Sequence, residues 1–302
     1  LMLRFGVLSM LFALLVCKPS QAQSTKALHQ TFVSPRSGSA LSCQSCHAVS
    51  TVTAGGSAGF GSRRADPLWI AARIDQVDQS SFEALADPDD GDGDGISGRL
   101  NWALSLDQQG ALPGRFGWKA TAPTLEDQIA NALTADMEIE SGLIGFANAS
   151  CAVEDPGCLV LTGKDALPIV KLLAEATREL NGTQEAPAMP ETFTQIGCAT
   201  CHSPALQSKE GRAVHLFSDL LLHDLGEGLA ENRSQGLAGP NEWRTAPLIG
   251  LSTRDRYLHD GRADSLDAAI LLHGGEAKAA ANGYQALQNE EKSLLLHFLK
   301  SL

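Results

Sequence analysis

The sequence predicts a mainly α-helical protein built from two domains. Alternation of polar and apolar residues, which is typical of β-strands, is scarce along the chain. Apolar residues instead recur at helical spacing, most clearly at Leu125–Leu133, Leu266–Ile270 and Leu294–Leu299. A stretch rich in Gly, Thr and Pro at residues 181–190 indicates a linker between two helical halves.

Each half of the chain carries one Cys-x-x-Cys-His motif. The two motifs consist of Cys43, Cys46 and His47, and of Cys198, Cys201 and His202. This spacing is the attachment signature of a c-type haem, in which both cysteines bond to the porphyrin and the histidine ligates the iron. Paired Cys-x-x-Cys motifs also occur in zinc ribbons, but there they lie roughly 15–20 residues apart. The sequence therefore predicts two covalently bound haem c groups.

The N-terminal segment has the pattern of a signal peptide. Arg4 precedes the apolar run Phe5–Val16, and a small-residue cleavage site follows at Ala22. We therefore expect residues 1–22 to direct export to the periplasm of a Gram-negative bacterium, and we predict no transmembrane segment elsewhere. In that oxidising compartment, Cys151 and Cys158 are expected to form a disulfide.

Composition restricts the partners and the kind of core. The net charge of −12 argues against nucleic acid and suits a small basic electron carrier, such as a cytochrome c or a cupredoxin. Aromatic residues make up only 5% of the chain, as expected where porphyrins fill the core. We expect an N-terminal haem domain at residues 23–183 and a C-terminal cytochrome c-like haem domain at residues 184–302.

An internal repeat links the two domains. Residues 118–132 align without a gap on residues 259–273, with Ala, Leu and Ile matching at helical spacing. The last aligned position is Ala132 in the first copy and His273 in the second. We therefore expect His273 to be the second axial ligand of the second iron, and the first iron to have an open position.

An acidic segment at residues 87–101 is a candidate calcium loop. Asp90, Asp92 and Asp94 alternate with glycines, and carboxylate oxygens suit a hard cation. Asn101 stands where an EF-hand would place its bidentate glutamate, so this is not an ordinary EF-hand. The alternative interpretation is a solvated acidic turn.

Seven segments resemble one known family. They are Ala86–Arg99, Arg115–Ala120, Asp136–Met137, Ser218–Gly226, Glu242–Pro247, Tyr257–Ala263 and His273–Ala277. With the two haem motifs, they are similar to the bacterial di-haem oxidoreductases, which are peroxidase-like relatives of the di-haem cytochrome c peroxidases. The resemblance covers nearly all of the chain after residue 22.

The resemblance implies roles around the first haem. Trp118 falls on the tryptophan between the two haems, and Gln128 on a distal glutamine that orients bound oxygen. The catalytic acid falls on Glu138, or on Asp136 in the pattern of the closer family, and the sequence does not decide between them. The relatives' removable distal histidine has no counterpart, so the first iron is open unless Met137 or His29 caps it.

The resemblance also marks a departure at the second haem. The relatives' sixth ligand is a methionine, and His273 occupies that position here. Two histidines lower a haem potential relative to histidine and methionine, because a neutral thioether favours ferrous iron. We expect His259 and His223 to hydrogen-bond haem propionates or the backbone.

Three functions remain open at this stage. The first is peroxide reduction, or oxidation of an unknown substrate, at the first haem with electrons relayed by the second. The second is electron transfer alone, with both irons six-coordinate. The third is oxidation of a protein side chain, as in the related tryptophan-modifying enzyme, which uses a tyrosine as the sixth ligand of its second haem. Tyr257 and Tyr284 are the only tyrosines, and His273 fits the ligand position better.

Overall fold

The structure is a computed structural model that describes residue 47 and residues 52–53, 63–106, 110–135, 163–180 and 187–302. The chain divides into two compact units, residues 1–45 and 46–302. All of the described residues lie in the second unit.

Short helices and short strands alternate along the described chain. The α-helices are α1 (Leu68–Asp75), α2 (Gln79–Glu83), α3 (Leu125–Ala135), α4 (Gly163–Arg178), α5 (Glu191–Gln195), α6 (Cys198–Cys201), α7 (Leu266–Leu271), α8 (Lys278–Ala286) and α9 (Asn289–Ser301). Single 3-10 turns lie at Glu227–Leu229, Leu251–Thr253 and Gly275–Ala277. The strands are β1 (Val52–Thr53), β2 (Arg63–Arg64), β3 (Trp102–Leu104), β4 (Ala111–Pro113), β5 (Ala205–Gln207), β6 (Ala213–His215), β7 (Leu222–Asp224) and β8 (Glu242–Arg244).

The strands form antiparallel pairs rather than one extended sheet. In the described chain, β1 pairs with β2, β3 with β4, β5 with β6, and β7 with β8. The expectation of a mainly helical protein is therefore met only in part, because the fold mixes helices with these two-stranded ladders. Strands of two or three residues are too short to show a clear alternation in sequence.

Local sequence explains where several helices begin. The Ser265 hydroxyl accepts a hydrogen bond from the Ala268 amide at 3.2 Å at the start of α7. At the start of α9, Gln288 and Glu291 form a reciprocal capping box. Such caps satisfy amide donors that the first helical turn leaves without a partner.

The core of the C-terminal part is an aromatic cluster under α9. The rings of Phe193, Phe217 and Phe298 meet edge to face, with centroids 5.5–6.2 Å apart. The end of the chain is tied to this core, since the Gly250 amide donates to the Leu302 carbonyl at 2.6 Å. These contacts fix α5, and with it the start of the second Cys-x-x-Cys-His motif.

Backbone hydrogen bonds join segments on the two sides of the predicted domain boundary. Arg99 and Leu222 exchange two such bonds, of 2.9 and 3.0 Å. The Arg64 amide donates to the His259 carbonyl at 2.7 Å. The division at residue 183 stays a prediction, but the described parts on its two sides are in direct contact.

The internal repeat predicted from the sequence is present in the backbone. The isolated bridge between Phe116 and Ala122 has its counterpart between Tyr257 and Ala263, which the same alignment pairs when it is extended by two residues toward the N-terminus. Positive φ values also coincide, at 77° for Gly117 and 70° for Leu258. Both copies then continue into a helix, α3 or α7, whose first residue is a buried leucine.

No helix within the described residues is long and apolar enough to span a membrane. The predicted signal peptide, residues 1–22, lies outside the described residues.

Candidate functional site

The second Cys-x-x-Cys-His motif forms α6 and the residue that follows it. Gly197 adopts a φ of 88° and lets the chain turn sharply into this helix. His202 follows, and its Nδ1 lies 2.9 Å from the Phe217 carbonyl oxygen. Burial lowers the pKa of His202 to about 4, which favours the neutral ring. A carbonyl bound to Nδ1 places the proton there and leaves the Nε2 lone pair for a metal.

His273 has the same arrangement. It lies just beyond the end of α7, and its Nδ1 is 2.8 Å from the Ala269 carbonyl oxygen. Burial lowers its pKa, and its proximity contributes to the lowered pKa of His202. Among the described residues, no group hydrogen-bonds Nε2 of either ring. Both rings are therefore neutral imidazoles, with Nδ1 held by a carbonyl and the Nε2 lone pair available to a metal.

The two cysteines of the second motif are half-buried. Burial raises the pKa of Cys198 to about 11 and also raises the pKa of Cys201. Reactive cysteines, by contrast, have a lowered pKa in an electropositive setting. The pair therefore lacks the character of a redox-active dithiol, in agreement with a role in holding a cofactor.

The first motif is described only at its histidine. The Nδ1 atom of His47 lies 2.5 Å from the Asp66 carbonyl oxygen, so this ring is oriented by a backbone carbonyl as His202 is. Cys43 and Cys46 lie outside the described residues.

A cluster of three arginines lies beside the residue that orients His47. This arginine cluster comprises Arg64, Arg244 and Arg254, whose side chains are largely buried. The Asp66 carboxylate contacts Arg254 at 3.0 Å and Arg244 at 3.7 Å. Burial lowers the pKa of Arg64, and repulsion from Arg254 lowers it further. The Nε atoms of Arg64 and Arg254 are buried without a hydrogen-bond partner, so the cluster has spare donors for an anionic group such as a carboxylate.

Aromatic rings form a continuous stack next to this cluster. The rings of His259 and Trp243 are parallel, with centroids 3.8 Å apart, and Trp118 meets His259 edge-on at 6.3 Å. Trp118 donates its indole N–H to the Arg64 carbonyl at 2.6 Å. Burial lowers the pKa of His259 to about 4, so this ring is neutral. Trp118 and His259 are aligned positions of the repeat, and the two copies therefore touch at these rings.

The buried Lys119 closes the far end of the stack. Its Nζ lies 3.8 Å from the centroid of Trp243 and donates to the carbonyls of Gly239, Pro240 and Glu242 at 2.8–2.9 Å. A desolvated ammonium near an aromatic ring is attracted by the ring's quadrupole. Lys119 therefore fixes the loop before β8 and the orientation of Trp243.

A buried histidine lies between two carboxylates at the second motif. The Nδ1 atom of His223 is 2.8 Å from Glu276 Oε2, and its Nε2 is 2.8 Å from Asp219 Oδ2. Burial acts to lower the pKa of His223, but hydrogen bonds with Asp219, Cys201 and Glu276 outweigh it and raise the pKa to about 12. The ligand atoms of Cys201, Asp219 and His223 lie within 4.8 Å of one another. An imidazolium that donates a hydrogen bond from each ring nitrogen has no free lone pair. This group therefore suits an ion-pair network rather than a metal site.

The acidic loop is well defined and exposed. The carboxylates of Asp90, Asp92 and Asp94 offer oxygens within 4.8 Å of one another. Asp90 also accepts a hydrogen bond from the Gly95 amide at 3.1 Å, and Asp94 accepts one from the Ile96 amide at 2.8 Å. These turns bring together the three carboxylates that the sequence analysis proposed as calcium ligands.

The predicted catalytic residues around the first haem are only partly described. Gln128 lies on α3, half-buried, with its side-chain oxygen near Gly117. Its aligned partner in the second copy is Ala269, whose carbonyl orients His273. The other candidates lie outside the described residues; they are Asp136, Glu138, Met137, His29, Cys151 and Cys158.

Sequence reasoning missed two groups near the predicted ligands. The first is the arginine cluster, in which Arg64 lies 180 residues before Arg244 in the chain. The second is the pairing of His223 with Asp219 and Glu276. The only sequence signal for it is that Glu276 follows the predicted ligand His273 by three residues. Asp219 lies four residues before His223, but the contacts of Arg64 with the other arginines and of Glu276 with His223 depend on the tertiary fold.

A comparison with known families finds a match for the C-terminal part of the chain. Residues 162–302 match the model of the family described as "Di-haem oxidoreductase, putative peroxidase". The resemblance inferred from the sequence is confirmed over these residues. No curated protein matches the chain.

One solved structure resembles the chain weakly. It is the crystal structure of a MauG-like protein associated with microbial copper homeostasis, at 16% identity and a TM-score of 0.35. The match covers 78% of this chain and 88% of the other. A TM-score this low does not establish a shared fold.

Proposed function

We propose that the protein is an exported di-haem c-type oxidoreductase that reduces peroxide at the first haem with electrons relayed through the second. The observation that supports this most directly is the pair His202 and His273, in which both Nδ1 atoms are held by carbonyls and both Nε2 atoms are left for a metal. The family match over residues 162–302 supports the same chemistry.

The second haem would be held by residues that the structure describes. Cys198, Cys201 and His202 would hold the second haem, with His273 on its far side, while Cys43, Cys46 and His47 would hold the first. The spare buried donors of the arginine cluster suit propionate carboxylates. When bound, the haems supply redox-active iron that accepts and passes single electrons.

The chain's own groups would manage protons and substrate at the first haem. Two electrons and two protons convert hydrogen peroxide to two water molecules. In the proposed reaction, Asp136 or Glu138 moves a proton between the two peroxide oxygens, and Gln128 orients the substrate. The repeat supports an open position there, because Ala132 stands where the second copy has His273.

Electron delivery would come from a small soluble carrier. Trp118 would bridge the two haems, and its edge-on contact with His259 keeps both rings near the junction of the two copies. The net charge of −12 favours a basic cytochrome c or cupredoxin, whose association would be slowed by added salt. Export to the periplasm would place the protein where such carriers occur.

Peroxide turnover tests this proposal. We expect the purified holoprotein, pre-reduced by an artificial donor, to consume hydrogen peroxide and to be inhibited by cyanide. Asp136→Asn and Glu138→Gln are a matched pair, and removal of the true acid should lower kcat by roughly 10²–10⁴-fold while the other variant stays close to wild type. Absence of peroxide consumption in the wild-type holoprotein would contradict the proposal.

We further propose that the acidic loop binds calcium through Asp90, Asp92 and Asp94. The clustering of three carboxylates within 4.8 Å supports this, because calcium takes oxygen ligands. Calorimetric titration of the chelator-treated protein with Ca²⁺ should show one site that Asp92→Asn weakens and Asp89→Asn, a neighbouring exposed acid, does not. Equal weak heats for all three proteins would indicate a solvated acidic turn instead.

A further inference from the structure

The segment that follows His273 is held by a buried network of charged residues. We propose that Asp219, His223 and Glu276 form a clamp, the Asp219–His223–Glu276 clamp, that positions His273 against the second haem. The inference rests on the proposed ligation of one iron by His202 and His273. In this role Glu276 and His223 are positioning residues, which act on the iron only through His273.

Glu276 makes four hydrogen bonds, all to other segments. Its carboxylate accepts from the Ser97 amide at 3.1 Å, the Ser97 hydroxyl at 2.9 Å and the Asp224 amide at 3.3 Å. It also binds Nδ1 of His223 at 2.8 Å. The Ser97 contacts tie the clamp to the end of the acidic segment, and the Asp224 contact ties it to β7.

The backbone just before Glu276 is packed against the chain that follows β7. A Cβ atom added to Gly275, whose φ is 51°, would lie 2.1 Å from the Asp224 carbonyl oxygen. One added to Gly274 would lie 2.8 Å from the Leu225 carbonyl oxygen. Only glycine permits this contact of backbone on backbone, so residues 274–276 are fixed as a unit.

The other end of the clamp reaches the haem-attachment segment. Asp219 binds Nε2 of His223 at 2.8 Å, and its own amide donates to the Cys201 carbonyl at 2.9 Å. The ligand atoms of Cys201, Asp219 and His223 lie within 4.8 Å of one another. The clamp therefore connects the segment that would carry the porphyrin to the segment that carries its far-side ligand.

Burial makes this network sensitive to the loss of one member. The side chains of Asp219 and His223 are 3% and 4% exposed, and that of Glu276 is 13% exposed. Hydrogen bonds to both carboxylates stabilise the charged imidazolium. Removing one partner of a buried pair leaves an uncompensated charge, which is strongly destabilising locally.

The short chain segment between His273 and Glu276 links the positions of the two residues directly. Three residues span at most about 10 Å when fully extended, so His273 cannot move far while Glu276 stays in place. Released from Glu276, the segment would keep the glycine contacts and the hydrogen bonds of His273 to α7, but it would lose its ties to Ser97, His223 and Asp224. We therefore expect His273 to leave the iron more often when the clamp is broken.

Displacement of His273 by cyanide tests this inference in the holoprotein. The readout is the loss of the two-histidine low-spin EPR signal of the second haem as the distinct low-spin signal of its cyanide adduct appears, recorded on samples frozen at intervals after cyanide addition. We expect Glu276→Ala and Glu276→Gln to accelerate this decay by about tenfold or more, the scale of one lost charge-assisted hydrogen bond. Glu276→Gln keeps the side-chain size and covers the case in which Glu276→Ala fails to fold.

Two further variants separate the possible outcomes. Glu227→Gln removes an exposed acid of a nearby turn and should decay like wild type. His273→Ala should lack the two-histidine signal altogether. An unchanged decay in both Glu276 variants, with the signal lost in His273→Ala, would overturn the clamp and leave the ligation intact. A wild-type signal in His273→Ala would instead contradict the ligation, and with it this part of the proposed function.

Discussion

Replacing Cys198 and Cys201 together by serine is expected to halve the covalently bound haem. The two cysteines lie on the single turn α6, directly before His202. Serine preserves the size of each side chain but cannot form a thioether bond to the porphyrin. The haem-to-protein ratio, from a haemochrome assay combined with intact mass, should fall from two to one.

The cysteine pair outside the haem motifs, Cys151 and Cys158, provides the matched control for this experiment. Cys151→Ser with Cys158→Ser should leave the haem-to-protein ratio unchanged, because these residues are predicted to form a disulfide. Full covalent haem in the Cys198/Cys201 variant would contradict the assignment of the second motif. Bound zinc in place of haem in the wild-type protein would favour the zinc interpretation instead.

His273→Met is expected to raise the midpoint potential of the second haem. A thioether favours ferrous iron, whereas the imidazole of His273 is made more basic by its hydrogen bond to the Ala269 carbonyl at 2.8 Å. Axial ligands set haem potentials over a range of about 0.8 V, and we expect a rise on the order of 0.1 V. Spectroelectrochemical titration of the holoprotein measures this change.

The control for the potential is His297→Met, which changes an exposed histidine of α9. It should leave both haem potentials at their wild-type values. If His273→Met also leaves both potentials unchanged, His273 is not an axial ligand. The second iron would then have to take its sixth ligand from elsewhere.

The sequence predicted the parts of the site whose residues lie at fixed spacing along the chain. The Cys-x-x-Cys-His motifs have such a spacing, and the second one forms a tight turn that presents His202. The alignment of residues 118–132 with residues 259–273 was also readable, and the bridges at Phe116 and Tyr257 bear it out. His273 was predicted from this alignment, and its Nδ1 is held by a backbone carbonyl, as that of His202 is.

Patterns failed where the fold depends on short or distant pairings. The two-stranded ladders were not predicted, since a three-residue strand such as Leu222–Asp224 carries almost no periodicity. His223 was expected to bond a propionate or the backbone, and the structure pairs it with Asp219 and Glu276. Glu276 lies 53 residues from His223 in the chain, so no spacing rule connects the two.

Charge alone did not reveal the arginine cluster either. Arg64, Arg244 and Arg254 are separated along the chain, and arginines usually lie at the surface. The fold buries all three around Asp66, whose carbonyl orients His47. Sequence spacing can predict metal ligands. A cluster of buried arginines that could bind an anionic group is recognised only from tertiary contacts.

The measurement that tests the central claim most directly is EPR spectroscopy of the holoprotein, recorded fully oxidised and again half-reduced. The account predicts a low-spin signal from an iron held by His202 and His273, together with a high-spin ferric signal from an open first haem in at least one of the two states. Low-spin signals alone in both states would contradict peroxide reduction at the first haem and would leave a di-haem electron carrier as the better description.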